Sequence, residues 1–303
     1  MEGGNALKVH LAATLVVILS ACHKDDLPVC RGENALQTPD RVKGGVIQEH
    51  SKAMVKEINL IGVRKVAAGD LKRAMFTQVG GYLSFIGGER SCREETFQRD
   101  RTILRAAYYD RGFLDVKIDE PLVSISGDKR FVYIRTEIEE GEAYRIGKID
   151  FSGDLLVPKE GLEKLMTSRQ GEPFNRSKIS RDFSAIADGY LDEGYAFAEV
   201  TPLTQLHREQ LLIDLTFDMH KGNQVYVERI DIAGNIKTRD QEIRREMQIH
   251  EGELFSGTEE RRSKERVTAL GLFETVEVQH KRGSDASKVV VTVEVKEKSA
   301  ADK

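Results

Sequence analysis

Hydrophobic and polar positions along the chain run through one order three times: an alternating strand, a short helical segment, a longer amphipathic helix, then two more alternating stretches. The openings are Val55-Lys-Glu-Ile-Asn-Leu-Ile-Gly62, Arg145-Ile-Gly-Lys-Ile-Asp-Phe-Ser-Gly153 and Val227-Glu-Arg-Ile-Asp-Ile-Ala-Gly234. They share a register. Ile58, Ile149 and Ile230 stand two positions before Leu60, Phe151 and Ile232, so period two puts each pair on one sheet face and Asn59, Asp150 and Asp231 on the other. Short helices are predicted over 69–78, 159–167 and 239–247, each followed by a longer one. The clearest stripe is Ile179, Phe183, Ile186 and Tyr190, at spacings of four, three and four; Phe97, Leu104 and Tyr108 mark its counterpart upstream. In the third repeat Val267 and Leu270 follow a heavily charged run, so the solvent face is broad.

Each long helix runs into a glycine, at 112, 194 and 271, and the last two strands of each unit are joined by loops short enough for hairpins, at 126–129, 207–210 and 282–285. A hairpin makes those strands antiparallel. The opening strand reaches them through two helices, a crossover long enough for parallel pairing. The fold class that follows is α+β: three tandem β-α-α-β-β modules, each a three-stranded mixed sheet with two helices on one face. Boundaries fall at 52–141, 142–223 and 224–298, with a tail at 299–303. The joins at 138–144 and 219–225 are short, which favours a semi-rigid rod.

Composition narrows the function classes. In 303 residues, 46 Lys plus Arg nearly cancel 50 Asp plus Glu, so no global basic field draws nucleic acid, and tryptophan is absent. The apolar run 11–19, ending Leu19-Ser-Ala-Cys22, is too short for a membrane span and reads as the core of a secretory leader at 1–21. Small residues before Cys22 match a lipobox, which makes Cys22 a lipidation site and 22–51, with its prolines and glycines, a flexible spacer. The plainer alternative is an uncleaved leader. Cys30 and Cys92 either pair in an oxidising compartment or stay free. No CxxC or His-bearing metal spacing occurs. The adjacent acids Glu94-Glu95, Glu139-Glu140 and Glu259-Glu260 point in different directions and do not converge on a substrate. Gly80-Gly81 and Gly87-Gly88 flank Tyr82-Leu-Ser-Phe-Ile86 without a phosphate-binding motif, so that stretch reads as a mobile loop. No catalytic residue, metal, cofactor or small-molecule substrate is expected.

The repeat, with Lys56-Glu-Ile-Asn59, Tyr109-Asp-Arg-Gly112, Glu139-Glu-Gly141, Arg244-Arg-Glu-Met247, Glu251-Gly252, Leu270-Gly-Leu-Phe-Glu-Thr-Val276 and Val295-Lys-Glu-Lys298, resembles the last three POTRA modules of BamA-type outer-membrane β-barrel assembly factors. Members of that family continue into a membrane barrel, whereas this sequence carries an apparent lipobox and no barrel strands, and insertion by a barrel is not carried over. The resemblance implies a non-enzymatic scaffold on the periplasmic face of the outer membrane, and the lipobox, a departure from the family, implies that a lipid on Cys22 anchors it there. Its implied partners are outer-membrane protein precursors and assembly-complex lipoproteins. An exposed sheet edge pairs with extended peptides, and the resemblance puts that edge on the strand after each long helix: Phe113, Leu114, Asp115, Val116, Lys117 and Ile118 in the first module, 195–200 and 273–278 in the others. The alternative is that neighbouring modules, or Lys117, Glu199 and Glu277, block these edges. The family's contact with a helical-repeat lipoprotein implies docking around Arg244, Arg245, Glu246 and Glu251, residues that a solvated helix end also explains. A truncated barrel protein with residual binding, an envelope or division structural lipoprotein, and a lipoprotein enzyme stand as rivals.

Overall fold

The computed structural model describes residues 51–85, 91–128 and 130–298. The leader, Cys22, Cys30, the spacer up to residue 50, the second glycine pair and the tail at 299–303 lie outside the described residues, as does the side chain of Cys92. In chain order the elements are β1 (Ser51–Ile61), α1 (Ala68–Ala74), β2 (Tyr82–Phe85), α2 (Ser91–Tyr109), β3 (Lys117–Ile118), β4 (Leu122–Ile125) and β5 (Phe131–Glu139) in the first module. The second holds β6 (Arg145–Gly153), α3 (Lys159–Leu165), α4 (Arg176–Asp192), β7 (Glu199–His207) and β8 (Leu212–His220). The third holds β9 (Tyr226–Ala233), α5 (Asp240–Glu246), α6 (Gly257–Ala269), β10 (Phe273–Arg282) and β11 (Lys288–Glu297).

In every module the closing strand is the middle one: the orders are β1-β5-β3 with β4 also on β5, β6-β8-β7, and β9-β11-β10. The opening strand runs parallel to it and the strand after the long helix antiparallel, in β1, β5 and β4 and again in β9, β11 and β10. The closing strands earn the centre by alternation. Val132, Ile134, Thr136 and Ile138 on β5, and Ile213, Leu215, Phe217 and Met219 on β8, are all buried, while the residues between them are more exposed. On β11 the inward set is Val289, Val291, Val293 and Val295. β-Branched residues suit such a packed, pleated surface.

The long helices seal these faces. Leu104 and Tyr108 on α2, Ile179, Ile186 and Tyr190 on α4, and Val267 on α6 are almost fully buried, each large side chain contributing about 1.5–3 kcal/mol. A polar residue inside each long helix also holds the chain leaving the short one. Asp100 accepts the Phe76 and Thr77 N–H groups, Asp182 those of Thr167 and Ser168, and the Ser263 hydroxyl those of Gln248 and Ile249. All three residues are buried. The turn after each opening strand needs a glycine: Gly153 sits at φ +82, where a Cβ would fall 2.1 Å from the Met219 carbonyl oxygen.

Among the described residues the first sheet departs from the expected three strands. The stretch after Gly81, read from sequence as a mobile loop, is strand β2, paired antiparallel with 51–54 of β1. Gly80, at φ +86, turns the chain, and Val55 exchanges backbone bonds with Gly80 and Gly81. An open strand edge accepts an extended segment whatever its sequence. The strand after α2 is split into β3 and β4 by Asp119-Glu120-Pro121, where proline removes a backbone donor.

Compactness divides the molecule into two units: one ends at Lys148 and takes in Gln170–Lys178 and Gln205–Asp214, and the other comprises Ile149–Arg169, Ile179–Thr204 and the chain from Leu215 onward. The first is centred on the core of Val55, Ile58, Leu71, Leu104, Tyr108 and Ile134. The second is centred on Val227, Ile243, Phe255, Val267, Val291 and Val293.

Candidate partner-binding edges

Each sheet has two rims, and their backbone groups meet different fates. The first residues of each opening strand are bonded on their outer side by the loop between the two helices. In the first module that loop is β2 itself. In the second, Ile146 donates to the Glu172 carbonyl and accepts from Gly171, while Phe174 donates to Tyr144. In the third, Val227 donates to Glu253 and accepts from Gly252, and Phe255 donates to Val225.

The third module adds a side-chain clamp. Glu251 accepts the Ile230 N–H at 2.8 Å, and the Arg244 guanidinium donates to the Ile230 carbonyl at 2.7 Å. The two are also paired with each other at 3.3 Å, about half exposed. Both outward groups of Ile230 are therefore consumed by residues expected to dock a partner. Glu246 is held by Arg266 at 2.9 Å. Among the described residues Arg245 is exposed and makes no ion pair, so it alone of the four is free for an incoming group.

On the opposite rim the strands of the first two modules start later than the sequence placed them. Of Phe113, Leu114, Asp115, Val116, Lys117 and Ile118, only the last two are strand; the first four form a turn after α2. Phe113 and Val116 are buried in the first core. Asp115 accepts the Tyr144 hydroxyl at 2.6 Å and pairs with Arg208 at 3.4 Å. On the short β3, Lys117 is tied to Glu139 at 2.7 Å and Arg101 occupies the Ile118 carbonyl at 3.2 Å. The available edge is instead β4. Leu122 is 67% and Ile125 43% exposed, and Ser126 donating to Phe131 sets an alternation that turns the N–H and C=O groups of Val123 and Ile125 outward. The short, mostly apolar run Leu122-Val-Ser-Ile125, counted back from the 126–129 hairpin, was the signal for it. In the second module 195–198 is likewise a turn, and the strand begins at Glu199; Pro202 interrupts its donors. β10 begins at Phe273 as expected and runs ten residues without proline.

The turns that replaced the expected strand starts are gripped by the following repeat. Asp110 accepts the Ser177 N–H and hydroxyl at 2.8 and 2.9 Å, capping α4, and Tyr144 donates to Gly112. Burial pushes the Tyr144 hydroxyl up to about 12, with the Asp115 carboxylate adding to the shift. In the second unit Asp192 caps α6 through the Thr258 N–H and hydroxyl, both at 2.7 Å, and Val225 donates to Gly194. At the corresponding place after α6 stands Ala269, and the Gly271 carbonyl takes the Lys298 ammonium at 2.9 Å. Glu140 fastens the first module's exit by accepting the Arg64, Lys65 and Val66 N–H groups and the Tyr108 hydroxyl. Burial works to raise its carboxyl, but those donors outweigh it and the net shift is downward.

Among the described residues no group of three or more His, Cys, Asp and Glu is placed to hold a metal. No helix there is long and apolar enough to cross a membrane.

Comparison with known proteins agrees with this geometry. The family profile described as "POTRA: Surface antigen variable number repeat" matches at 53–141, 144–222 and 225–298. The chain is 29% identical over 257 residues to the outer membrane protein assembly factor BamA of Nitratidesulfovibrio vulgaris, covering 84% of this chain and 32% of that protein. It is 30% identical over 232 residues to BamA of Neisseria meningitidis serogroup B, covering 76% of this chain and 29% of that protein. The chain thus spans about a third of the length of these curated relatives. The crystal structure of Haemophilus influenzae BamA POTRA3-5 superposes with a TM-score of 0.70 at 24% identity, covering 84% of this chain and all of that one. Three matched repeats and the shared β-α-α-β-β architecture place this chain in the POTRA family.

Proposed function

We propose that this protein is a non-enzymatic scaffold at the periplasmic face of the outer membrane that assists assembly and insertion of β-barrel proteins. Precursor strands add to the open edge of β4, and β10 offers a longer edge of the same kind. The observation that carries this reading is an asymmetry between the two sides of the sheets: among the described residues the start of each opening strand is bonded on its outer side, while the outward backbone groups of β4 have no partner. Backbone pairing suits clients of varied sequence, because it gives affinity with little demand on side chains. Assembly-complex lipoproteins dock on the third module through Arg245, with the Arg244–Glu251 clamp holding the surface in shape. Cys22 carries the lipid that tethers the chain, and 22–51 spaces the modules from the bilayer.

Site-specific photocrosslinking in cells tests the edge. A crosslinker at Ser124 is expected to capture barrel precursors, and one at Arg245 an envelope lipoprotein. Capture of neither, from a protein that accumulates normally, overturns the proposal. Cys22→Ala is expected to release the protein from the membrane fraction; unchanged fractionation rejects the anchor.

A further inference from the structure

The two inter-repeat grips use different chemistry. Where Asp115 is held by a tyrosine hydroxyl and an arginine, the turn at 195–198 is held by a histidine. His280, on β10, directs Nδ1 at the Glu260 carboxylate, 2.9 and 3.0 Å from its two oxygens, and Nε2 at the Ala196 carbonyl, 3.2 Å away. The ring is tilted against Phe255 and Phe197, with centroids 4.8 and 5.8 Å distant. Both side chains are largely enclosed, at 23% and 14% exposure for His280 and Glu260.

Both neighbours of this imidazole accept and neither donates. A neutral ring has one N–H, so it would turn a lone pair toward either a carboxylate or a carbonyl; only the imidazolium satisfies both. The other charges around it are committed: Arg282 lies over the Phe197 ring at 4.5 Å, Arg261 on α6 pairs with Asp188, and Lys264 on α6 pairs with Glu277. We infer that protonated His280 is a pH-responsive latch that holds the turn at 195–198 against the third module, and that the latch loosens when the ring loses its proton. This does not depend on the proposed function.

The hydrogen bond to Glu260 is the chief influence on the ring; burial opposes it, and the net effect raises the imidazole above its ordinary value of 6.5. With the folded-state value raised, the latch contributes fully below the unfolded value and is lost as pH rises through the folded one. The first grip is built from Asp115, Tyr144 and Arg208 and contains no imidazole, so only the second is expected to respond.

An NMR titration of the full chain reads this directly. The His280 Cε1–H signal, assigned by its loss in His280→Gln, is expected to titrate above 6.5. Amide exchange at Ala196 and Phe197, corrected for its intrinsic pH dependence, is expected to speed up across the same midpoint. Glu260→Gln is expected to lower the midpoint, and His280→Gln to abolish the response. A midpoint at or below 6.5, exchange at 196–197 indifferent to it, or the same response in His280→Gln overturns the inference.

Discussion

At the scale of single residues, stability rests on carboxylates that accept backbone N–H groups, and Asp182 is the clearest. It is 1% exposed and accepts from Thr167 N–H, Thr167 hydroxyl and Ser168 N–H. Burial alone would raise its carboxyl, yet the donors outweigh burial and hold it below its ordinary value of 3.8. The stabilisation is therefore present above that value and lost as pH falls through the lower, folded-state value. Asp182→Asn is expected to cost about 2–3 kcal/mol near neutral pH. Urea denaturation across acidic pH reads this, and the variant's penalty is expected to shrink toward the acid end. Gly153→Ala, which combines the left-handed φ with the Met219 contact, is expected to cost about 2 kcal/mol or more in the same assay. The glycine was legible because Gly62, Gly153 and Gly234 close equivalent strands. Asp182 was not, since an acid within an apolar helical stripe carries no mark of the chain segment it will face.

At the scale of elements, edge strands decide what the molecule offers. Backbone alternation made the repeat order, the parallel opening strands and the central closing strands readable, because a period of two survives substitution of individual residues. The starts of β7 and the split of β3 from β4 were not readable in that way. In 113–118 and 195–200 the alternation begins in the turn: Phe113, Val116 and Ala196 are buried by the turn's own packing, not by strand pairing. β2 was hidden for a different reason. Tyr82-Leu-Ser-Phe85 is too short to stand alone, and it became a strand only because β1 had an unfilled rim. If β4 is the working edge, Ile125→Pro, which removes an outward donor, should reduce precursor crosslinking from Leu122 severalfold while the third module's thermal transition stays unchanged. Equal crosslinking would place the contact elsewhere.

At the scale of the whole molecule, a repeat protein is as ordered as its joins. The same device appears twice: an aspartate two residues before a glycine caps the next long helix, and the glycine carbonyl receives the next opening strand. The motif Tyr109-Asp-Arg-Gly112 was visible as a family resemblance, but its work as a cap across the join was not, because the capped residues lie 67 positions away. Asp192→Ala is expected to destabilise the third module by about 1 kcal/mol and to raise hydrogen exchange at the start of α6. Exchange confined to Asp192 itself would show that the cap carries no coupling.

The open edge of β4 is the feature on which the proposed scaffold function rests. Hydrogen exchange of the full chain, followed by NMR as a synthetic peptide of one outer-membrane barrel strand is added, tests it directly. New protection is expected at the Val123 and Ile125 amides, with the already bonded Ile146 and Val227 amides unchanged. Saturable binding that leaves Val123 and Ile125 unprotected, or that protects the opening strands instead, would contradict it.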